Sequence, residues 1–402
     1  MWLWNLRRWN RSWRDNTLRL RDLLALLALA VFWYVIMPII GAFAVRRTWR
    51  LFRKRFDELR LSPILDYRKA SLLDETGSDF RFFGGFESIS DETLWIRSDA
   101  FTVPVDLSAA KVFMLPIEGN DTLSKEEGVP RTIRWKQVSA VSEGARIFVG
   151  GRARNKKGRV CFESRREAPL IVILYDGQER SLLLRAVRAG RQKNEYWNPV
   201  TPYSIALGIF AQLLMALSFA NRPAFSSAFI ASITGAFAPL LPILPPGLLL
   251  TALSRSAWRR GRSYRALRDL VRLPLKHLGE GATKTMLPDG STYGLVRMND
   301  ERFASIASIP TLPPEATHTS DREEWYCYGV LREDDDGKLT VTEPNDPSAI
   351  FAAAADEPER LAARYSRRAR LLEISASAAL FSGVLLNMTL AYLLIDFVRK
   401  AS

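Results

Sequence analysis

Charge-free apolar runs alternate along this chain with stretches crowded with arginine. Leu23–Val45 carries no charge over a length that crosses a ~30 Å hydrocarbon core at about 1.5 Å per residue. Tyr203–Ala220 and Ala224–Leu244 are separated only by Asn221-Arg222-Pro223, a link so short that the two must form an antiparallel helical hairpin. Ile374–Ile395 is the remaining run. The pattern predicts transmembrane helices at 23–45, 203–220 and 224–250, and a fourth inside a long helix over 356–398, where Asp356 can cap and Pro358 can start the helix.

The runs differ in detail. Trp33 and Tyr34 lie within the first, and Trp13 and Trp49 near its ends, where amphipathic rings favour the interface. Ala42-Phe43-Ala44 fits a signal-cleavage pattern. Against cleavage stand the long charged region before the run, its length, and Arg46-Arg47 directly after it. The third run has small residues four apart, Ala224, Ala228, Ser232 and Ala236, beside a parallel row of Ser227, Ala231 and Gly235. Such rows permit close helix packing in lipid and a homo-oligomer through these faces. Pro239, Pro242, Pro245 and Pro246 make its end irregular, read as a kinked exit or, alternatively, a broken helix lining a cavity. The fourth run repeats the spacing with Ser375, Ala379 and Gly383. It holds one intramembrane amide, Asn387, expected to hydrogen-bond between helices, with a substrate contact as the alternative.

Between the runs the period changes. Lys111–Leu115, Arg146–Val149, Arg159–Glu163 and Leu170–Tyr175 read as short strands, with Gly150-Gly151, Lys157-Gly158 and Asp176-Gly177 as tight turns. Glu324–Leu331 and Lys338–Thr342 read as strands of a second region punctuated by Asp289-Gly290 and Asp336-Gly337. The expectation is an α+β membrane protein, with about four transmembrane helices and one or two small β-barrel or sandwich-like soluble units. Its segments are a basic Trp-rich start (1–22), a basic helical linker (46–79), a β-rich domain (80–190), a basic amphipathic helix (254–278) and a second β-rich portion (280–345). Gly150, Gly158, Val160 and Phe162 match Gly329, Gly337, Leu339 and Val341 at a constant separation of 179 positions. A duplicated unit accounts for this, and so do two unrelated hairpins sharing turn chemistry.

Charge then orients the picture. The 402 residues carry 57 Lys+Arg against 43 Asp+Glu, a net charge of +14 concentrated beside the apolar runs, which favours membrane lipids of anionic type over nucleic acid. Arg188, Arg191 and Lys193 before the hairpin, and Arg255, Arg259, Arg260, Arg262, Arg265 and Arg268 after it, place both flanks in the cytoplasm of a multi-pass cell (inner) membrane protein. The first run is flanked equally on both sides and gives no vote. Ser254–Leu278, with Tyr264, Leu267, Leu270, Val271 and Leu278 near helical spacing, reads as a helix lying on the anionic membrane surface.

The stretch Tyr328-Gly329-Val330-Leu331-Arg332-Glu333-Asp334-Asp335-Asp336-Gly337-Lys338-Leu339-Thr340-Val341, followed by a helix entering the membrane, resembles the β-rich domain of GIDE-type membrane proteins. In the best-known members, mitochondrial membrane ubiquitin ligases, that domain lies between membrane helices and precedes a zinc-binding RING. Two cysteines and two histidines cannot build a RING, so ligation is not implied here. The resemblance implies a membrane-tethered β domain used for interaction.

Candidate chemistry is sparse. His277 and His318 have no Cys, His or carboxylate at metal-ligand spacing, no phosphate-loop motif occurs, and Cys161 and Cys327 fall in separate portions. No cofactor, metal or catalytic residue is expected. The candidate interface or lipid-headgroup contacts are Arg191, Lys193, Glu195, Tyr196 and Trp197 before the hairpin, with Arg259, Arg260 and Arg262 after it. The leading expectation is a membrane scaffold that binds a protein partner of unknown identity. A small transporter-like or channel-like protein and a membrane enzyme acting on lipid are the alternatives.

Overall fold

The computed structural model describes residues 20–98, 101–115, 131–133, 145–156, 158–165, 168–192, 198–279, 282–306, 309–312, 324–334 and 337–401. The chain forms two compact units, one comprising Met1–Arg47, Asn194–Trp258 and Glu373–Ser402, the other Thr48–Lys193 and Arg259–Leu372.

The first unit is helical. It takes α1 (Leu20–Val31), a π-helical turn at Phe32–Ile36, the start of α2 (Met37–Leu59), α5 (Thr201–Ala220), α6 (Ser226–Phe237), the start of α7 (Gly247–Leu278) and the last part of α9 (Pro358–Ala401). Among the described residues four helical stretches, Asp22–Leu59, Thr201–Ala220, Pro223–Leu240 and Pro358–Ala401, are long and apolar enough to cross a membrane. Their outward faces carry large apolar side chains such as Ile39, Phe43, Phe210, Leu217, Phe381 and Leu394.

Polar contacts inside this unit fasten backbone to backbone. The Ser204 hydroxyl donates to the Trp33 carbonyl, Asn198 Nδ2 to Pro38 O at 3.3 Å, and the Tyr34 hydroxyl to Ala236 O at 3.2 Å. Gly208 lets α5 approach the Tyr34 ring, since a Cβ there would stand 2.7 Å from it. Of the predicted small rows, Ser232 and Ala236 are buried but Ser227 and Ala231 are exposed. Ser232 and Thr234 turn their hydroxyls back onto Ala228 O and Ile230 O of their own helix, each at 2.8 Å. The proline-rich end is a 3-10 segment, Ala238–Ile243, after which α7 starts at Gly247, so 247–250 belong to that helix rather than to the third run.

Among the described residues the second unit holds two antiparallel-rich sheets, with the short helices α3 (Tyr67–Ser71) and α8 (Asp300–Ser305) beside them in sequence. The first contains β1 (Ser78–Ser90), β2 (Thr93–Arg97), β3 (Thr102–Asp106), β4 (Lys111–Met114), β5 (Arg131–Ile133), β6 (Arg146–Lys156), β7 (Arg159–Phe162) and β8 (Ile171–Tyr175). Strands β1, β2, β3, β7 and β6 pair in that order, and β6 returns to β1, closing a small barrel from which β8, β4 and β5 extend. Alternation puts Phe80, Phe82, Leu94, Ile96, Val103, Val105, Ile147, Val149 and Phe162 inside.

Strand β8 is buried on both faces because α2 covers the outside of this sheet. Trp49, Phe52, Phe56 and Leu59 share one helical face. Trp49 and Phe52 lie 5.4 and 4.3 Å from the Phe113 ring, and Phe56 lies 5.7 Å from Phe148. Trp49 is therefore a core residue of this unit and not the interfacial ring expected from its place beside the first run. Trp13 lies outside the described residues.

Gly150-Gly151 also departs from expectation. Both lie within β6, where Gly151 takes φ +146° and a Cβ would stand 2.4 Å from Leu170. The pair permits a close approach inside a long strand, and the turn itself falls at Gly158, φ +78°.

The second sheet orders β9 (Lys284–Met286), β10 (Thr292–Asn299), β11 (Glu324–Glu333) and β12 (Leu339–Thr342), with β13 (Ala352–Ala354) also on β11. It repeats part of the first. Positions 179 apart put β11 on β6, β12 on β7, β13 on β8, and the start of α9 on the start of α4 (Glu179–Gln192). In each copy an antiparallel strand, β1 or β10, flanks the long central strand, which also pairs with the hairpin strand and the short strand that follows.

The helices agree as well. Leu182, Leu183, Ala186 and Gly190 of α4 are buried, as are Leu361, Ala362, Tyr365 and Ala369 of α9 at the same separation. The registers on the central strand slip by one residue, both in the hairpin and against the short strand, where Ile147 faces Leu174 but Tyr326 faces Ala354. Asn155 faces Val160 in the first copy, whereas Glu333, not Asp334, faces Leu339 in the second. The shared plan thus covers the segment from central strand to outgoing helix, well beyond common turn chemistry.

Buried charge joins the two sheets within this unit. Arg81 of β1 and Asp346, between β12 and β13, form a bidentate pair, with Nη1–Oδ1 at 2.7 Å and Nη2 closer still to Oδ2. Arg81 Nε donates to Ser62 O at 2.6 Å, and Asp346 Oδ1 also accepts from Ser348 N at 2.8 Å. Beside them Arg60 donates to Asp57 Oδ1 at 2.8 Å. The His277 ring lies tilted 4.9 Å from that of Tyr293, whose hydroxyl donates to Ile350 O at 2.8 Å.

Candidate functional site

The basic helices of the second unit carry four of the eight predicted contact residues, Arg191, Arg259, Arg260 and Arg262. Helix α7 carries seven arginines between Arg255 and Arg272 and a single acid, Asp269. Its apolar residues Ala266, Leu270, Val271 and Leu273 are buried within the protein. The face expected to rest on lipid is thus spent on packing. What remains outward is the basic face, with Arg259, Arg260, Arg272 and Lys276 exposed.

Arg191, at the end of α4, reaches α7 rather than solvent. Its Nε and Nη2 both stand 2.5 Å from Asp269 Oδ2. Burial lowers this guanidinium below its ordinary value, while the Asp269 charge opposes the shift. The other oxygen of Asp269 accepts from Arg268 Nε at 2.9 Å and Nη2 at 2.6 Å. One carboxylate therefore serves two arginines, and both oxygens are occupied.

Arg262 is buried on the inward side, apart from exposed Arg259 and Arg260. The three do not form one patch. Lys193, Glu195, Tyr196 and Trp197 lie outside the described residues. In the helical unit Asn387 is buried at 4 % exposure. Its Nδ2 donates to Leu244 O at 2.9 Å and its Oδ1 accepts from Gly247 N at 3.3 Å. The amide thereby satisfies backbone groups freed where the proline-rich segment interrupts the helical ladder.

Sequence reasoning missed the repetition of arginine between the outgoing helices. Arg185, Arg188 and Arg191 of α4 recur as Arg364, Arg367 and Arg370 of α9, again 179 positions on. The same offset used for the hairpins, carried further along the chain, would have found them. In both copies the first arginine turns back to the acid ahead of its helix. Arg185 pairs with Asp176 and Arg364 with Asp356, the latter at 3.0 Å.

Among the described residues no group of three His, Cys, Asp or Glu side chains is placed to hold a metal ion. Cys327 is fully buried and its thiol is pushed up to about 12 by that burial. The Cys161 thiol is raised by burial and by nearby Glu163. Compared with known proteins, the chain matches no family model, no curated protein and no solved structure.

Proposed function

We propose that the chain is a multi-pass membrane protein whose two β sheets form one platform for a protein partner at the cytoplasmic face. The observation that supports this reading best is the way the second unit is built. Two copies of a strand–hairpin–strand–helix plan are fastened by the buried Arg81–Asp346 pair, and each leads along the chain into helices apolar enough to cross a membrane. Such a platform is fixed in shape, as a scaffold requires, and the arginines on the helices beside it suit the positive-inside rule. The weak likeness of the second hairpin to the GIDE-type β domain agrees with an interaction role.

Two measurements test it. A reporter fused after Leu278 should read cytoplasmic, and an extracytoplasmic signal there refutes the topology. Photo-crosslinking residues placed at exposed barrel positions, Glu87 and Arg97, should trap one discrete protein adduct in intact membranes. If adducts are absent at both, and reconstituted protein conducts ions instead, the channel-like alternative replaces the scaffold.

A further inference from the structure

Between α7 and α9, wholly within the second unit, lies a groove of about 330 Å³ lined by Arg268, Arg272, Arg367, Arg370, Ser366, Glu359 and two alanines. Four guanidiniums face one carboxylate. Arg268 is held by Asp269, whose second oxygen is already taken by Arg191. Arg272, Arg367 and Arg370 are exposed and have no acidic partner among the described residues.

The repeat sharpens the contrast. In the first copy the third arginine, Arg191, is neutralised inside the protein, whereas its counterpart Arg370 and the preceding Arg367 are left to the groove. Uncompensated arginines that line a concave site with a hydroxyl form a recognition surface for a tetrahedral oxyanion, because the planar fork matches two phosphate oxygens at once. Location narrows the source. Arg370 stands four residues, about 6 Å along the helix, before Ile374, where the apolar stretch begins; this is the depth of the headgroup layer.

We propose that this groove binds the phosphate of an anionic lipid headgroup, with Arg367 and Arg370 on the phosphate and Arg268, Arg272 and Ser366 extending the site toward water. The lipid source rests on the membrane reading above; the phosphate chemistry does not.

The full chain in detergent, titrated calorimetrically, tests both. Dihexanoylphosphatidylglycerol should bind saturably, and dihexanoylphosphatidylcholine, without net charge, much more weakly. Arg367→Gln with Arg370→Gln should weaken the first by about 10- to 100-fold, the loss expected for two charge-assisted hydrogen-bonding groups. Arg159→Gln with Arg332→Gln, equal in charge and exposed on β7 and β11, should leave it unchanged. No saturable binding, or equal weakening by both double variants, overturns the site. Inorganic phosphate binding as tightly as the lipid supports the phosphate site and overturns the lipid source. Alkaline carbonate extraction of membranes is the separate check on membrane residence, since release of the chain there defeats the membrane reading whatever the titration shows.

Discussion

Replacing Asp346 with alanine removes the acceptor for both terminal nitrogens of Arg81, a side chain 1 % exposed, and the acceptor for the Ser348 amide. Arg81 then keeps only the Ser62 carbonyl. Leaving a buried guanidinium uncompensated costs about 3–5 kcal/mol, and the orphaned amide adds about 1 kcal/mol. At about 2–4 °C per kcal/mol for domains of this size, a loss of about 4–6 kcal/mol should lower the melting temperature of the second unit by roughly 8–24 °C. Tryptophan fluorescence of the detergent-solubilised chain follows the transition, because Trp49 and Trp325 are buried in this unit. Removing both charges with Arg81→Met and Asp346→Leu should recover most of the loss, since buried pairs are commonly replaceable by apolar side chains of similar volume. Asp346→Ala melting within about 2 °C of the parent refutes the argument. A double variant no better than the single one would show that shape, not charge, holds the sheets there.

Burial and nearby Arg60 lower the His277 imidazole to about 4, against the upward pull of Asp346 and Asp57. The unfolded imidazole, near 6.5, takes a proton that the folded one refuses, so stability should fall as pH drops from 6.5 to 4 and flatten below. With partial solvent access the effect is about 1–2 kcal/mol, and His277→Phe should show a shallower pH dependence of melting; parallel curves would contradict it. Asn387→Ala leaves Leu244 O and Gly247 N without that amide and should cost about 0.6–1.7 kcal/mol in a detergent melt, whereas no change would mean that the turn stands without it. In the native chain Cys161 should react with a maleimide far faster than Cys327, and equal rates would show that the second sheet opens. Gly329→Ala sets a Cβ 2.7 Å from Thr342 O, which should loosen β12 from β11 and raise amide exchange at Leu331 and Val341, while unchanged exchange refutes the close contact.

Apolar periodicity made the four long helices legible, because length and absence of charge need no knowledge of partners. The hairpin strands were legible from turn glycines and alternation. Strand β1 was not singled out, since Phe80-Arg81-Phe82 alternates for only three positions before Phe83-Gly84-Gly85 interrupts it, and the acceptor of the buried Arg81, Asp346, lies far along the chain. Nor was β13, three alanines between Phe351 and Ala355, whose strand character comes from pairing with β11. Trp49 was misplaced for a related reason. A tryptophan beside an apolar run suits an interface equally well, and only the facing Phe113 decides for the core. These three failures each mark a long-range contact, whereas the misplaced end of the third run reflects the local proline-rich 3-10 segment.

The two copies explain why the groove occurs where it does. A repeated helix bearing arginine at every third position presents the same charges twice, yet α7 offers a single carboxylate, Asp269, to both. Once Arg191 and Arg268 share that carboxylate, nothing on α7 remains for Arg370, and the second copy faces the groove with its charge intact. Inserting an acid there separates the roles. Arg272→Glu would supply the missing partner, closing the groove to phosphate by an internal ion pair while leaving the Arg191–Asp269 contact of the first copy in place. If phosphate binding survived that change undiminished, the asymmetry between the copies would be structural only, and the headgroup assignment would fail with it.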